Sequence, residues 1–241
     1  MVYGVIFDCD GVVSNSWPLI KRFQRHLCTK YGKSMPKNIK LRNFKINPPY
    51  AFPNNSEYAD YFRQGENVYD LMGFNWAEDK ELIWNEFIKY LSVHRPKIFP
   101  FVKRNFQTLK KGGIRTGLAT DNSIILIEPF LQSNGLQELL DAVATRDDNQ
   151  KSKPYPDLLL KCSEKMGVPA KNCIYCGDEI ADIFAARYGG MLAIGTGYGL
   201  TPPNVMLKLV NKSQFARTPM ELGDIIMRNL AQLKKMNSAE H

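Results

Sequence analysis

Two carboxylates, Asp8 and Asp10, bracket Cys9 and precede Gly11, directly after the apolar stretch VYGVIF. One acid past a strand is an ordinary terminus. Two, with no base nearby in sequence, crowd like charge, and a bound cation would remove the repulsion. Three later stretches carry matching chemistry: Thr120, Asp121 and Asn122 after IRTGLA, Lys153 in KPYPD, and Asp178, Glu179 and Asp182 in GDEIAD. Singly, each reads as a helix cap, a loop lysine or a plain turn. Together they make a coherent set. Carboxylates without a compensating arginine favour a hard, oxygen-seeking cation such as Mg²⁺. A carboxylate can also be a nucleophile, an ammonium can neutralise a transferring phosphoryl group, and a hydroxyl with backbone N–H groups can hold its oxygens.

These residues need a frame that brings them to one place. Residues 2–8 read as a strand, being short, β-branched and aromatic, and ending in acids and glycine. Leu19, Phe23, Leu27 and Tyr31 recur at helical spacing behind Pro18, and residues 36–46 are a weaker helical candidate. Three prolines make residues 47–53 a loop. Tyr58, Phe62, Gly65, Tyr69 and Met72 share a helical face. Asn75-Trp76-Ala77-Glu78 resembles a capping box before a further amphipathic helix. Residues 17–95 therefore read as an all-helical block.

After Pro96 strands and helices alternate. Strands are expected at 114–120, 142–145, 173–176 and 191–194. Helices are expected at 101–111, 124–133, 155–166, 180–188 and 219–235, with a late start or a kink at Pro129 and fraying at 237–241. Alternation of this kind predicts an α/β fold, a Rossmann-like doubly wound parallel sheet, with the helical block inserted. The expected division is a core of residues 1–16 and 96–241 and a helical domain of residues 17–95. Such sheets bind ligands beyond their strand C-termini. All four chemical stretches fall there.

Composition narrows the classes. The chain has 241 residues, 44% hydrophobic and 23% charged, enough for a sizeable core. No apolar run reaches the roughly 18–20 residues of a membrane span, and no basic region precedes a long apolar one at the N-terminus. Five cysteines, an odd number, point to reduced thiols in a cytoplasmic protein. The Cys173–Cys176 pair lies in an apolar strand and reads as buried packing rather than a zinc site. The net charge is +8, and no acid occurs between Asp10 and Glu57, where nine bases fall. That run is either a solvated helix face or a surface drawing in small anions. It lacks the interleaved aromatics of a nucleic-acid platform.

The stretch DCDGVVSNS resembles the first motif of the haloacid dehalogenase superfamily, DxDGx[TV]. Thr120, Lys153 in KPYPD, and Asp178 with Asp182 in GDEIADIFAARYGG follow in the family's order. The helical insert is similar to the type-I cap of phosphoglycolate phosphatase-like members. The resemblance implies a Mg²⁺-dependent phosphatase of a small phosphorylated metabolite acting through an aspartyl-phosphate. Asp8 would be nucleophile and metal ligand. Asp10 would be acid and base, with its backbone carbonyl on the metal. Thr120 and Lys153 would hold the phosphoryl group, with Asp121 and Asn122 beside the substrate. Asp178 would ligate the metal, and Asp182 and Glu179 would stand behind it. The resemblance also implies a monomer or weak homodimer, with cap hinges near 14–18 and 94–100.

Three departures stand out: Asp121 where relatives often carry Asn, Cys9 in place of a usual larger apolar residue, and Glu179 where they often carry Ser. Asp10 argues against dehalogenase or phosphonate-cleaving chemistry. A β-phosphoglucomutase-like mutase is the enzymatic alternative, although Gly177 replaces the acid usual there. A non-enzymatic, basic nucleic-acid-binding protein is the alternative outside enzymes.

Overall fold

The computed structural model describes residues 1–36, 68–148 and 151–238. By internal contacts the chain divides into Met1–Trp17 with Pro96–His241, and Pro18–Arg95. The expected helix at 36–46, apart from its first residue, and the expected loop at 47–53 lie outside the described residues. So do Tyr58, Phe62 and Gly65 of the next expected helical face.

The first unit is built on six parallel strands in the order β5-β4-β1-β6-β7-β8. They are β1 (Gly4–Phe7), β4 (Arg115–Ala119), β5 (Ala142–Ala144), β6 (Cys173–Gly177), β7 (Leu192–Thr196) and β8 (Phe215–Ala216). β1 lies at the centre. Phe7 is level with Leu118 on one side and Cys176 on the other. Its residues are buried throughout, as suits a strand covered on both faces. Phe7, Phe106, Leu118, Ile174 and Ile226 belong to one apolar core, and Phe7 meets Phe106 edge to face at 4.8 Å. A separate two-stranded ladder pairs β2 (Ser14–Asn15) with β3 (Lys97–Ile98) antiparallel, so the two stretches expected as hinges are hydrogen-bonded partners.

The second unit contains α1 (Trp17–Lys30), α2 (Val68–Leu71) and α3 (Trp76–Val93). Phe23, Leu27, Met72, Phe74 and Ile83 form its core, and Lys30 pairs with Glu86 at 2.6 Å. The Asn75 side chain accepts from Ala77 N–H at 3.2 Å. The reciprocal bond comes from Asp79 at 2.8 Å rather than from Glu78.

The remaining helices are α4 (Val102–Lys111), α5 (Ile124–Asn134), α6 (Asp157–Met166), α7 (Ile180–Tyr188), α8 (Pro203–Leu209) and α9 (Pro219–Ser238). Two readings of the sequence are revised here, and four elements had no counterpart in it. Of the late start or kink expected from Pro129, the late start is not found, since α5 begins at Ile124. Asp147, from the turn after β5, accepts from Ser123 Oγ at 2.9 Å and Ile124 N–H at 2.6 Å, and so caps the helix at Ile124. α9 runs to Ser238 and does not fray at Asn237, whose buried amide donates to Asn172 Oδ1 at 2.8 Å; the rest of the expected fraying end, 239–241, lies outside the described residues. Finally, β2, β3, α8 and β8 had no expectation at all. Three of them are two-residue strands, too short for a period to register. No helix among the described residues is long and apolar enough to cross a membrane.

Candidate active site

The central position of β1 delivers Asp8 to the middle of the sheet's C-terminal edge. Asp8 N–H still bonds to Cys176 O at 2.9 Å, which holds the residue in line with β6. On one flank β4 leads into Thr120, whose N–H bonds to Ala144 O at 3.0 Å. On the other, β6 leads into Asp178. Asp8, Thr120, Lys153, Asp178 and Asp182 are all buried.

Lys153 joins these segments. Its ammonium donates to Asp8 Oδ1 at 2.7 Å, Asp182 Oδ1 at 2.7 Å and the Tyr175 hydroxyl at 3.1 Å. These three acceptors use its three protons. Burial works against the charge on Lys153, but Asp182 and Asp8 outweigh it and hold the pKa well above the ordinary lysine value.

Asp182 is fully occupied. Its Oδ1 accepts from Lys153 and Tyr175, and its Oδ2 from the N–H groups of Asp178 at 3.0 Å and Glu179 at 2.9 Å. Glu179 and Asp182 thereby complete a capping box at the start of α7. Gly177 leaves room for this, because a Cβ there would lie 2.2 Å from Asp182 Cβ.

Asp178 is held differently. Its Oδ2 accepts from Leu200 N–H at 2.6 Å, and its main-chain oxygen from Thr201 N–H at 3.1 Å. Its Oδ1 is buried without a hydrogen-bond partner. Two glycines press on this carboxylate. A Cβ on Gly11, at φ +76°, would lie 2.0 Å from Asp178 Oδ2, and one on Gly199 would lie 2.2 Å away.

Oxygens of Asp8, Asp178 and Asp182 lie within 4.8 Å of one another. Since both Asp182 oxygens are already bonded, Asp8 and Asp178 are the carboxylates left for a cation. The donors are all oxygen, and the orphaned Oδ1 of Asp178 supplies an unfilled bond, so the residues fit Mg²⁺. Without a cation, burial first, and then neighbouring acids, push Asp178 well above the usual carboxylate range. Burial does the same to Asp8 against the opposing pull of Lys153. The Asp10 carboxylate is not in the cluster. It accepts from Asn122 Nδ2 instead, so any contact of Asp10 with a metal would fall to its main-chain oxygen.

The three departures also have places. Burial raises Asp121 above the ordinary aspartate value, and Lys153 nearby with the bonds it accepts from Lys153 N–H and the Ser152 hydroxyl offsets only part of that. Glu179 is raised to about 8 by burial and by Asp182. Cys9 is buried, and its thiol is pushed up by burial and then by Asp10 and Asp8, so it is packing rather than a reactive thiolate.

Two contributors were not anticipated. Tyr175 has an alternating position inside an otherwise apolar strand, and nothing local distinguishes it from a core aromatic. The loop after β7 clasps Asp178 through Gly199, Leu200 and Thr201. The run GTGYGLT carried a composition signal for it. From this clasp follows a test. Gly199→Ala is expected to displace Asp178 and weaken Mg²⁺ binding by about 10–100-fold. Calorimetric titration of the metal into variant and parent would measure it, and unchanged affinity would remove the clasp from the site.

Known proteins resemble this chain. The family model for haloacid dehalogenase-like hydrolases matches residues 5–196. The phosphoglycolate phosphatase of Escherichia coli (strain K12) is 30% identical over 122 residues, covering 47% of this chain and 48% of that protein. The match therefore spans about half that relative's length. The phosphoglycolate phosphatase of Yersinia pestis is 30% identical over 198 residues, 82% of each chain. Among solved structures, a β-phosphoglucomutase from Clostridium difficile superimposes with a TM-score of 0.67 at 21% identity, covering 96% of this chain and 98% of that one.

Proposed function

The chain belongs to the haloacid dehalogenase-like hydrolase family, and from that premise we propose that it is a Mg²⁺-dependent phosphatase of a small phosphorylated metabolite, working through an aspartyl-phosphate. One observation carries the reading. Lys153 is ion-paired to both Asp8 and Asp182 at 2.7 Å, beside an Asp178 oxygen that has no partner.

In this reading Asp8 attacks phosphorus, a bond forms from its carboxylate oxygen, and the ester oxygen leaves with a proton from Asp10. Asp10, steadied by Asn122, then takes a proton from water as the water attacks the acyl phosphate. Free phosphate departs and Asp8 is regenerated. Lys153 holds Asp8 in place and offsets charge on the phosphoryl oxygens. The Thr120 hydroxyl and neighbouring N–H groups bind those oxygens. Mg²⁺ on Asp8, Asp178 and the Asp10 carbonyl would supply further neutralisation of that charge. The residues of 17–95 would form the cap that selects the substrate and sheds water.

Hydrolysis is favoured over mutase chemistry by Gly177. The side chain usual there in mutases would collide with Asp182. The five free, buried thiols fit a reducing compartment such as the cytoplasm.

Phosphate release would be followed with glycolate, sugar, nucleotide and amino-acid phosphates and with β-glucose 1-phosphate. The expected result is release in Mg²⁺ that chelation lowers by about 10²-fold or more. Isomerisation of β-glucose 1-phosphate without phosphate release would make the protein a mutase. Activity indifferent to chelation would remove the metal from the reading.

A further inference from the structure

Within the first unit, α4 and α9 border a cavity of about 260 Å³. Its lining includes Phe101, Arg104, Asn105, Met220, Asp224 and Met227. Four observations set this face apart. Phe101 is 43% exposed, Met220 62% and Met227 45%, three large apolar side chains together in solvent. Phe101 also has φ +69°, and it is the one described non-glycine residue with positive φ. A bulky side chain in that conformation costs on the order of 1–3 kcal/mol, and at this exposure its own burial returns little. Asn105 Nδ2 is buried with no acceptor. Arg104 and Asp224 are both exposed, and neither makes an ion pair among the described residues.

The charges decide what covers the face. A cation on α4 and an anion on α9 border one apolar centre. A two-fold axis through that centre sets Arg104 of one copy against Asp224 of the other, and does so twice. A patch of either sign alone would repel its own copy. Phe, Met and Arg are also the types enriched at protein interfaces. A small-molecule site fits less well, because the cavity is below the usual range of about 300–1,000 Å³ and its apolar walls project into water. We infer that this face is the two-fold interface of a homodimer, with Phe101, Met220 and Met227 at its centre and Arg104–Asp224 pairs at its edge.

The test is sedimentation of the full chain over a concentration series, with single and combined charge reversals. The parent is expected to dimerise reversibly. Arg104→Asp and Asp224→Arg should each raise the dissociation constant by about tenfold or more, since each sets like charges opposite one another. An equimolar mixture of the two variants should recover dimer, because every cross-pair is then of opposite sign. The double variant should recover it as well. Circular dichroism would confirm that each variant is folded, and Met227→Lys, expected to be monomeric, would replace any that is not. A parent that stays monomeric throughout, charge variants that associate as the parent does, or a mixture that fails to recover would each overturn the inference. Failure of the phosphatase reading would leave it untouched, since no residue here belongs to that site.

Discussion

Asp8→Asn will lower turnover on the order of 10⁴-fold or more while leaving the fold in place. The amide is a far weaker nucleophile than the carboxylate, and loss of a covalent catalyst is among the largest single-residue effects. The stability side of the expectation follows from local charge. Asp8 lies among Asp10, Asp178 and Asp182 with Lys153 as the buried cation, and burial already disfavours its ionised form. An asparagine keeps the volume and can still accept from Lys153. Parent and variant should therefore share a circular dichroism spectrum and unfold at similar denaturant concentrations. Phosphate release from the best substrate of the panel measures the loss. A variant retaining a tenth of the parent's rate would remove Asp8 from the nucleophile's role.

The second large effect is one of stability. Lys153→Met removes the charge bonded to Asp8, Asp182 and Tyr175 and leaves buried carboxylates facing a thioether. Breaking a buried pair from one side costs about 3–5 kcal/mol, because the remaining charge is uncompensated. Turnover should be lost as well. The pH dependence distinguishes this cause from simple packing. Burial already holds the folded-state pKa of Asp8 above the ordinary aspartate value of 3.8, and loss of Lys153 would raise it further. Above 3.8 the unfolded chain ionises Asp8 while the folded variant resists, so stability drains away as pH rises through that window. The variant's deficit should therefore shrink towards pH 4 and widen towards neutrality. Urea unfolding of variant and parent at several pH values would measure it. A deficit independent of pH would assign the loss to packing instead.

Much of the core was legible in the residues. The helix Ile180–Tyr188 begins and ends where its periodicity and the following glycines place it. The strands around Val5, Leu118 and Ile174 are short apolar runs bounded by Gly or acid, and each keeps its C-terminal polar residue at one edge of the sheet. The long-range caps were not legible. Asp147 starts α5 from the far side of β5, and Asp79 rather than Glu78 returns the bond at Asn75. A cap of the first kind depends on which turn folds against which helix, and neighbouring positions do not contain that information. Asp121 shows the same limit. Its partners are Lys153 N–H and Ser152, more than thirty positions along the chain.

By itself the sequence determined the alternation of strand and helix, the identity of the acids and the lysine, and the edge at which they meet. Local pattern and strand polarity suffice for these, because a parallel sheet sends every strand's C-terminus to one side. Only the tertiary structure decided how the acids divide their work. Asp182 spends both oxygens on Lys153, Tyr175 and two backbone N–H groups, while Asp178 keeps Oδ1 unbonded and holds Oδ2 on Leu200 N–H beside Gly11 and Gly199. That division is a matter of angstroms between segments far apart in the chain, set by packing rather than by residue type.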